Sequence, residues 1–528
     1  MTAAAFRWSL AGLAAVALSG AGLDVMEVDA AQYAAMSRDM LAQDDWLKLY
    51  HRGRDYLDKP PLLFWLSALS FKLFGVHNWS YKLPSILFAF LGVFSTYRFA
   101  QLFHGAAIAR RAAVMFGASA AFLLMTNDVR CDTLLTGSVV TAIWAGATWM
   151  QQRRWWQLLA AAAAVAAGML AKGPMGAVAP VAALGAHLAL GGHWRALRDL
   201  RWLAAPLLVA LALIPMCIGL YEQHGVHGIR FYFWEQSFGR ITGENRWRDD
   251  STVLFFTHEL LWQVLPWTLF VVVGLGQHVI AAFRRQPMPE HAAMGGSLLV
   301  FAALSLSQFK LPHYLYVIMP LLAVLGAIGW DHAAARWARY GQAAVVSFLA
   351  VALIALTAWC FPTRWWPIIP LALAPGGVLL CRGLAAQHRD RLFTGTVWVW
   401  LVAGLGLNTL IYPEVLGYQA NARAGRWAKA QGLDANRFFV LNAGGTALDF
   451  YAGFTPGGLA SAEQAAEVVN PGFAIYTDAQ GLKELSASGL VTDRVLEFED
   501  YRVQLLSLDF ILPGTRAEAT DRRYVVVY

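Results

Sequence analysis

Up to about residue 412 the chain alternates long apolar stretches with short polar loops. An apolar run of roughly 20 residues crosses a bilayer as a helix. Such runs fall near 8–23, 83–103, 111–126, 134–151, 155–171, 174–192, 203–221, 257–282, 292–307, 314–330, 343–361, 366–381 and 393–412. The pattern therefore predicts about thirteen spans. Arg7 followed by an apolar run imitates a signal peptide, but Leu18–Gly22 is a poor cleavage site, so a retained anchor helix is expected. Tyr33, Met36, Met40 and Leu41 recur at helical spacing and predict a short amphipathic helix in the membrane interface. Leu62–Phe74 is too short and interrupted for a span and reads as a second interfacial helix.

Beyond residue 412 hydrophobic density falls. Strand-like pieces (Arg437–Leu441, Phe473–Thr477, Tyr501–Leu506) and helix-like pieces (Ala420–Gln431, Thr446–Ala452, Ala479–Ser486) are punctuated by Gly and Pro. This tail of about 110 residues suffices for one small α/β domain. The expected division is a membrane domain over 1–412, with a long first loop at 24–82, and an α/β domain over 413–528.

Charge orients the bundle. One set of loops carries Arg110 and Arg111; Arg153 and Arg154; Arg195, Arg198 and Arg201; Arg284 and Arg285; Arg336 and Arg339; and Arg382, Arg389 and Arg391. The positive-inside rule puts that set in the cytoplasm. The N-terminus is then expected inside, and the C-terminus outside with loops 24–82, 127–133, 172–173, 222–256 and 308–313. Composition agrees: 58% of residues are hydrophobic, mean hydropathy is +0.47, and 14% are charged, against about 25% in soluble domains. The net charge of +7 is scattered through loops and forms no nucleic-acid-binding stripe. Four Cys without a C-x-x-C spacing predict neither a disulfide framework nor a metal cluster.

The unusual ionisable residues gather in the outer set of loops. They are Asp29; Asp58 and Lys59 before a Pro pair; Asp128, Arg130 and Asp132; Lys172 before Gly173-Pro174; and Lys310 in Gln308-Phe309-Lys310-Leu311-Pro312-His313-Tyr314. Charges near membrane depth are costly and tend to mark function. A lysine there stabilises a phosphate that gains charge as its bond to a sugar breaks, and a carboxylate serves as general base toward an acceptor hydroxyl. Structural roles stand beside these. Asp29 suits a helix N-cap, Lys59 a snorkelling anchor, and Asp132 a pair with Arg130. Lys172 and Lys310 suit helix-end anchors, and Tyr314 an interface aromatic. Asp58, His224 and His227 are weak metal candidates, because His-x-x-His without a fixed third ligand is poorly specific. No cofactor is required by the sequence.

The ordered pieces Asp29-x-x-x-Tyr33, Lys59-Pro60-Pro61-Leu62, Phe71–Gly75, Arg130-x-Asp132, Lys172-Gly173-Pro174 and Lys310-Leu311-Pro312-x-Tyr314 resemble glycosyltransferases of the GT-C architecture. The likeness is greatest to the bacterial lipid A aminoarabinose transferases, relatives of the protein O-mannosyltransferases. The resemblance implies an α-helical polytopic inner-membrane enzyme with a C-terminal periplasmic α/β domain. It implies a sugar donor on undecaprenyl phosphate and a periplasm-facing acceptor, lipid A phosphate first, with a monomer expected. It puts Asp29 at the reaction centre, Lys59, Tyr33 and Tyr314 near the donor phosphate, and Asp132 as a second acid facing the cavity; Arg130, Lys172 and Lys310 are further phosphate partners by charge. The pattern departs at Ala30 and Gln32, where relatives carry an acid and an Arg, and at Asp58, where they often carry Glu. A transporter or flippase, a lipid-carrier ligase, a same-fold transferase with another sugar and a glycan or protein acceptor, and a scaffold are the competing classes. Transporters place their charges at the midplane of broken helices, unlike this chain.

Overall fold

The structure, a computed structural model, describes the chain except residues 193, 243–248, 333–335 and 386–387. Part of the expected outer loop 222–256 thus lies outside the described residues. The helices in order are α1 (Ala3–Ala21), α2 (Asp29–Gln43), α3 (Leu62–Phe74), α4 (Asn78–Gly117), α5 (Ala120–Asn127), α6 (Cys131–Gln152), α7 (Trp155–Lys172), α8 (Met175–Gly191) and α9 (Ala204–Arg230). They continue with α10 (Gly239–Thr242), α11 (Phe255–Gln263), α12 (Thr268–Phe283), α13 (Ala292–Ser305), α14 (Met319–His332), α15 (Arg336–Ala355), α16 (Ile368–Ala385) and α17 (Arg389–Gly406).

Among the described residues, nine helices are long and apolar enough to cross a membrane, and α3, α8, α12 and α13 are shorter apolar helices. Every predicted run is helical, but two are broken. The run 111–126 is cut between α4 and α5, where the Ser119 hydroxyl accepts from Phe122 N and starts a new helix. The run 257–282 is cut between α11 and α12, where Pro266 lacks the amide that would carry the helix on. α4 itself bends at Gly105, whose φ of +78° ends the first helical stretch. α2 and α3 form where interfacial helices were expected and pack against each other.

The helices sort by burial as a bilayer requires. α14 is enclosed, whereas α9, α15 and α16 turn most of their surface outward. α12 and α14 approach closely because Gly274 and Gly329 face the partner backbone without a Cβ between them. Trp155, Trp156, Trp365 and Trp366 stay exposed at helix ends, as headgroup-level indoles do. Buried amides tie the ends of helices together: Asn127 donates to Asn408 Oδ1 at 2.7 Å, and Asn408 donates to the Val16 carbonyl at 2.8 Å.

The arginine-rich loops meet at one end of the bundle. Arg111 pairs with Asp331 and Asp390, and Asp390 also takes the Met1 amine. At the opposite end the two-stranded β1 (Tyr50–His51) and β2 (Arg54–Asp55) turn the first loop back on itself. After α18 (Tyr412–Leu416), the tail folds as α19 (Ala420–Ala430), α20 (Thr446–Ala452) and a five-stranded mixed sheet. Its strands are β3 (Phe438–Leu441), β4 (Gly457–Gly458), β5 (Ala474–Asp478), β6 (Arg494–Asp500) and β7 (Asp521–Val527), in the order β4-β3-β5-β7-β6. β3 runs parallel to β4 and β5, and β7 antiparallel to β5 and β6. The expected strand at Tyr501–Leu506 is instead a turn, closed by the Tyr501 hydroxyl on the Leu505 carbonyl at 2.8 Å; the strand precedes it.

Candidate functional site

The outer-loop motifs converge at the end of the bundle that carries the sheet domain. Lys59, Asp132, Lys172 and Tyr314 line one cavity with Gln236, Ser237 and Ser307; Leu135, Met175, Leu304 and Val317 supply an apolar wall. The hollow encloses about 720 Å³ including its open mouth. Asp132 stands in the first turn of α6, where the helix dipole favours an anion. Its carboxylate pairs with Lys172, and His313 Nε2 lies 3.8 Å away. Lys172 ends α7, and Gly173 with φ +71° makes the turn into α8. The Lys172 ammonium rests 3.8 Å from the Tyr314 ring centroid, a cation–π contact that holds the charge over the cavity.

Lys59 pairs with Asp58, and the Asp58 carbonyl accepts from the Gln236 amide. Burial lowers the Lys59 ammonium pKa, but Asp58 and Tyr314 outweigh it and leave the amine above its ordinary value of 10.5. The site therefore presents two ammonium groups, each paired with its own carboxylate, and an apolar flank. That combination suits an anionic headgroup carried on a hydrocarbon tail.

Beside the cavity is a second cluster. Arg130 bridges Asp29 and Asp128, so the anticipated Asp132–Arg130 pair is replaced. Asp29 is the first residue of α2 rather than its N-cap, and its carboxylate is turned to Arg130 and remains 36% exposed. The backbone around it is pinned: Tyr81 donates to the Ala30 carbonyl at 2.7 Å, and the Thr446 hydroxyl sits 2.8 Å from the Val28 carbonyl. Burial raises the Asp128 carboxyl above its usual value against the pull of Arg130. Tyr33 is fully enclosed; burial first, then Tyr56 and Asp29, push its hydroxyl well above the usual range, so it stays a proton donor. Its ring packs edge-on against Phe64 at 5.6 Å.

Two sets of sequence candidates stand apart from the cavity. Lys310 does not line the cavity: its ammonium is 3.3 Å from the Ser251 hydroxyl and carbonyl, and its backbone amide binds Asp249. The loop at 249–251 takes up the charge the sequence offered to a phosphate. Asp58, His224 and His227 form no metal-holding group among the described residues. Gly225, with φ +60°, breaks the helical turn between the two histidines, while Asp58 is committed to Lys59 and Glu222 to Lys48. Sequence reasoning named Asp128 among the outer-loop charges without giving it a role, and passed over Tyr56 and Gln236. Asp128 stood two residues from Arg130, a signal available in the motif; Gln236 gave none.

Known proteins resemble the chain in sequence and fold. The model of the dolichyl-phosphate-mannose-protein mannosyltransferase family matches residues 58–218, the segment holding Lys59, Asp132 and Lys172. The fold is the GT-C fold: the chain superposes on crystalline ArnT from Cupriavidus metallidurans bound to undecaprenyl phosphate with TM-score 0.74 and 19% identity, over 98% of this chain and 97% of that one. In sequence it is similar to the undecaprenyl phosphate-alpha-4-amino-4-deoxy-L-arabinose arabinosyl transferase of Pseudomonas aeruginosa (strain LESB58), 26% identical over 66% of this chain and 63% of that protein. A second such transferase, from Proteus mirabilis (strain HI4320), is 24% identical over 79% of this chain and 77% of its own length. The chain thus spans somewhat less than two thirds of the Pseudomonas relative's length.

Proposed function

We propose that the chain is a multi-pass inner-membrane glycosyltransferase that moves a sugar from undecaprenyl phosphate to an acceptor at the periplasmic face. The convergence of Lys59 and Lys172 on one apolar-walled cavity carries this reading. The prenyl tail lies along Leu135, Met175, Leu304 and Val317, and the carrier phosphate meets the two ammonium groups. As the bond between anomeric carbon and phosphate oxygen breaks, the departing lipid phosphate keeps the electron pair and gains charge. Fixed cations stabilise that charge more than the ground state. The acceptor oxygen bonds to the anomeric carbon. If it is a hydroxyl, its proton passes to Asp29; if it is a phosphate oxygen, none is lost and Asp29 orients the group.

The sugar we assign is aminoarabinose or a close relative, in keeping with the relatives' names, and the acceptor we propose first is the phosphate of lipid A. Gln32 in place of an arginine removes a bidentate phosphate contact, which leaves room for another sugar. The arginine-rich end faces the cytoplasm and the cavity end the periplasm. Incubating purified protein with undecaprenyl-phosphate aminoarabinose and lipid A, with mass spectrometry of the products, tests this. Pentosylated lipid A is expected; an unmodified acceptor alongside intact donor contradicts it.

A further inference from the structure

The sheet domain carries a second cavity that the transfer chemistry leaves unused. β3 leaves through α20 toward β4 on one side, whereas β5 leads toward β6 at the opposite edge. The carboxyl ends of β3 and β5 are therefore where the strand order reverses, and ligands of open α/β sheets bind in the crevice that the diverging loops leave there. Here the crevice is open. Asn442, Gly444, Asp500 and Arg523 line roughly 680 Å³ of it. It continues past Asp500 and Arg523 into a hollow of roughly 870 Å³ whose wall includes Glu27 and Val28.

One side chain of its lining is unsatisfied. Both amide atoms of Gln504 are buried with no hydrogen-bond partner. Native proteins leave few such atoms without a ligand or water to complete them. Asn442, Arg502 and Asp521 are exposed along its wall. Arg523 is held by Asp500 at 3.2 Å. Carboxylates and guanidinium groups alternate, so the crevice is no simple anion trap. Amides and mixed charges together satisfy hydroxyls, which both donate and accept.

We propose that this crevice holds a hydroxyl-rich sugar ring of the acceptor and directs its reactive oxygen toward Asp29, the residue after Val28. The assignment rests on the transferase reading above. The test uses the full-length protein in lipid nanodiscs, with lipid A as the varied acceptor and saturating undecaprenyl-phosphate aminoarabinose. Asn442→Ala, Gln504→Leu and the surface change Arg502→Ala are compared with the parent. The acceptor KM is expected to rise about tenfold or more, as when a polar site loses a partner for a substrate hydroxyl, with the donor KM unchanged. An unchanged acceptor KM in all three, or an equal rise in donor KM, overturns the assignment. If the parent itself modifies no lipid A, the transferase reading fails and the assignment falls with it. If the parent is active and the variants match it, only the crevice is misassigned.

Discussion

Arg130 reaches from the loop before α6 to Asp29 at the start of α2, joining two residues far apart in sequence. The same guanidinium holds Asp128 at 2.8 Å. A planar fork fixes two carboxylates at once, which a lysine cannot do. Arg130→Lys is therefore expected to leave carrier binding near normal and to lower kcat by about 10²-fold, the scale of a small misplacement at the reacting centre. Steady-state kinetics with varied donor checks this. An unaltered kcat would mean that Asp29 needs no such brace.

Lys172 carries its charge over Tyr314 and onto Asp132. Removing it as Lys172→Met deletes one of the two cations facing the departing phosphate. The expected loss in kcat is roughly 10²- to 10³-fold, as for other preorganised donors. Tyr314→Phe keeps the ring under the ammonium and should cost far less. Rates for the two variants measured side by side separate the contributions of charge and support.

Lys59 gives a pH prediction with a definite sign. Burial favours its neutral form, and Asp58 with Tyr314 reverses that, so the ammonium persists above 10.5 in the parent. Asp58→Asn removes the largest opposing contribution and lets burial dominate. The alkaline fall of kcat/KM for the donor should then move to lower pH. An alkaline limb in the same place in both proteins would remove Lys59 from the charged machinery.

Glu27 fastens the sheet domain to the first loop: its carboxylate accepts from Ala447 N at 3.0 Å, Thr446 Oγ1 at 2.8 Å and Asn421 Nδ2 at 3.1 Å. Arg52 on Asp449 and Arg426 on Asp24 add ion pairs to the same junction. Glu27→Ala leaves these donors unpaired, at about 1–3 kcal/mol for each one that stays buried. Protease cleavage between 412 and 446 should accelerate, and activity should drop because Val28 and Asp29 lose their support. Glu27→Gln, which keeps an acceptor oxygen, should recover part of both.

Hydropathy made the spans legible because each one must hide its backbone and present apolar side chains to lipid. It could not show where α4 yields to α5 or α11 to α12, since both breaks lie inside continuous apolar sequence. Lys59, Asp132, Lys172 and Tyr314 were legible as charges and aromatics in loops of one side, and the structure brings all four to one cavity. Lys310 shows the opposite case. Its motif matched, yet a neighbouring loop captures its ammonium, a tertiary event that no local pattern encodes. The Glu27 junction was equally hidden, because its partners lie in a domain several hundred residues later. In that domain β7, the strand that joins β5 to β6, was missed behind its charged start Asp521-Arg522-Arg523.

The most direct test is carrier binding itself. Native mass spectrometry of the purified protein with added undecaprenyl phosphate should show one retained carrier. The Lys59→Met/Lys172→Met double variant should bind it at least about tenfold more weakly, the result of losing two cations beside one phosphate. Equal retention by both proteins would contradict the placement of the carrier phosphate between Lys59 and Lys172.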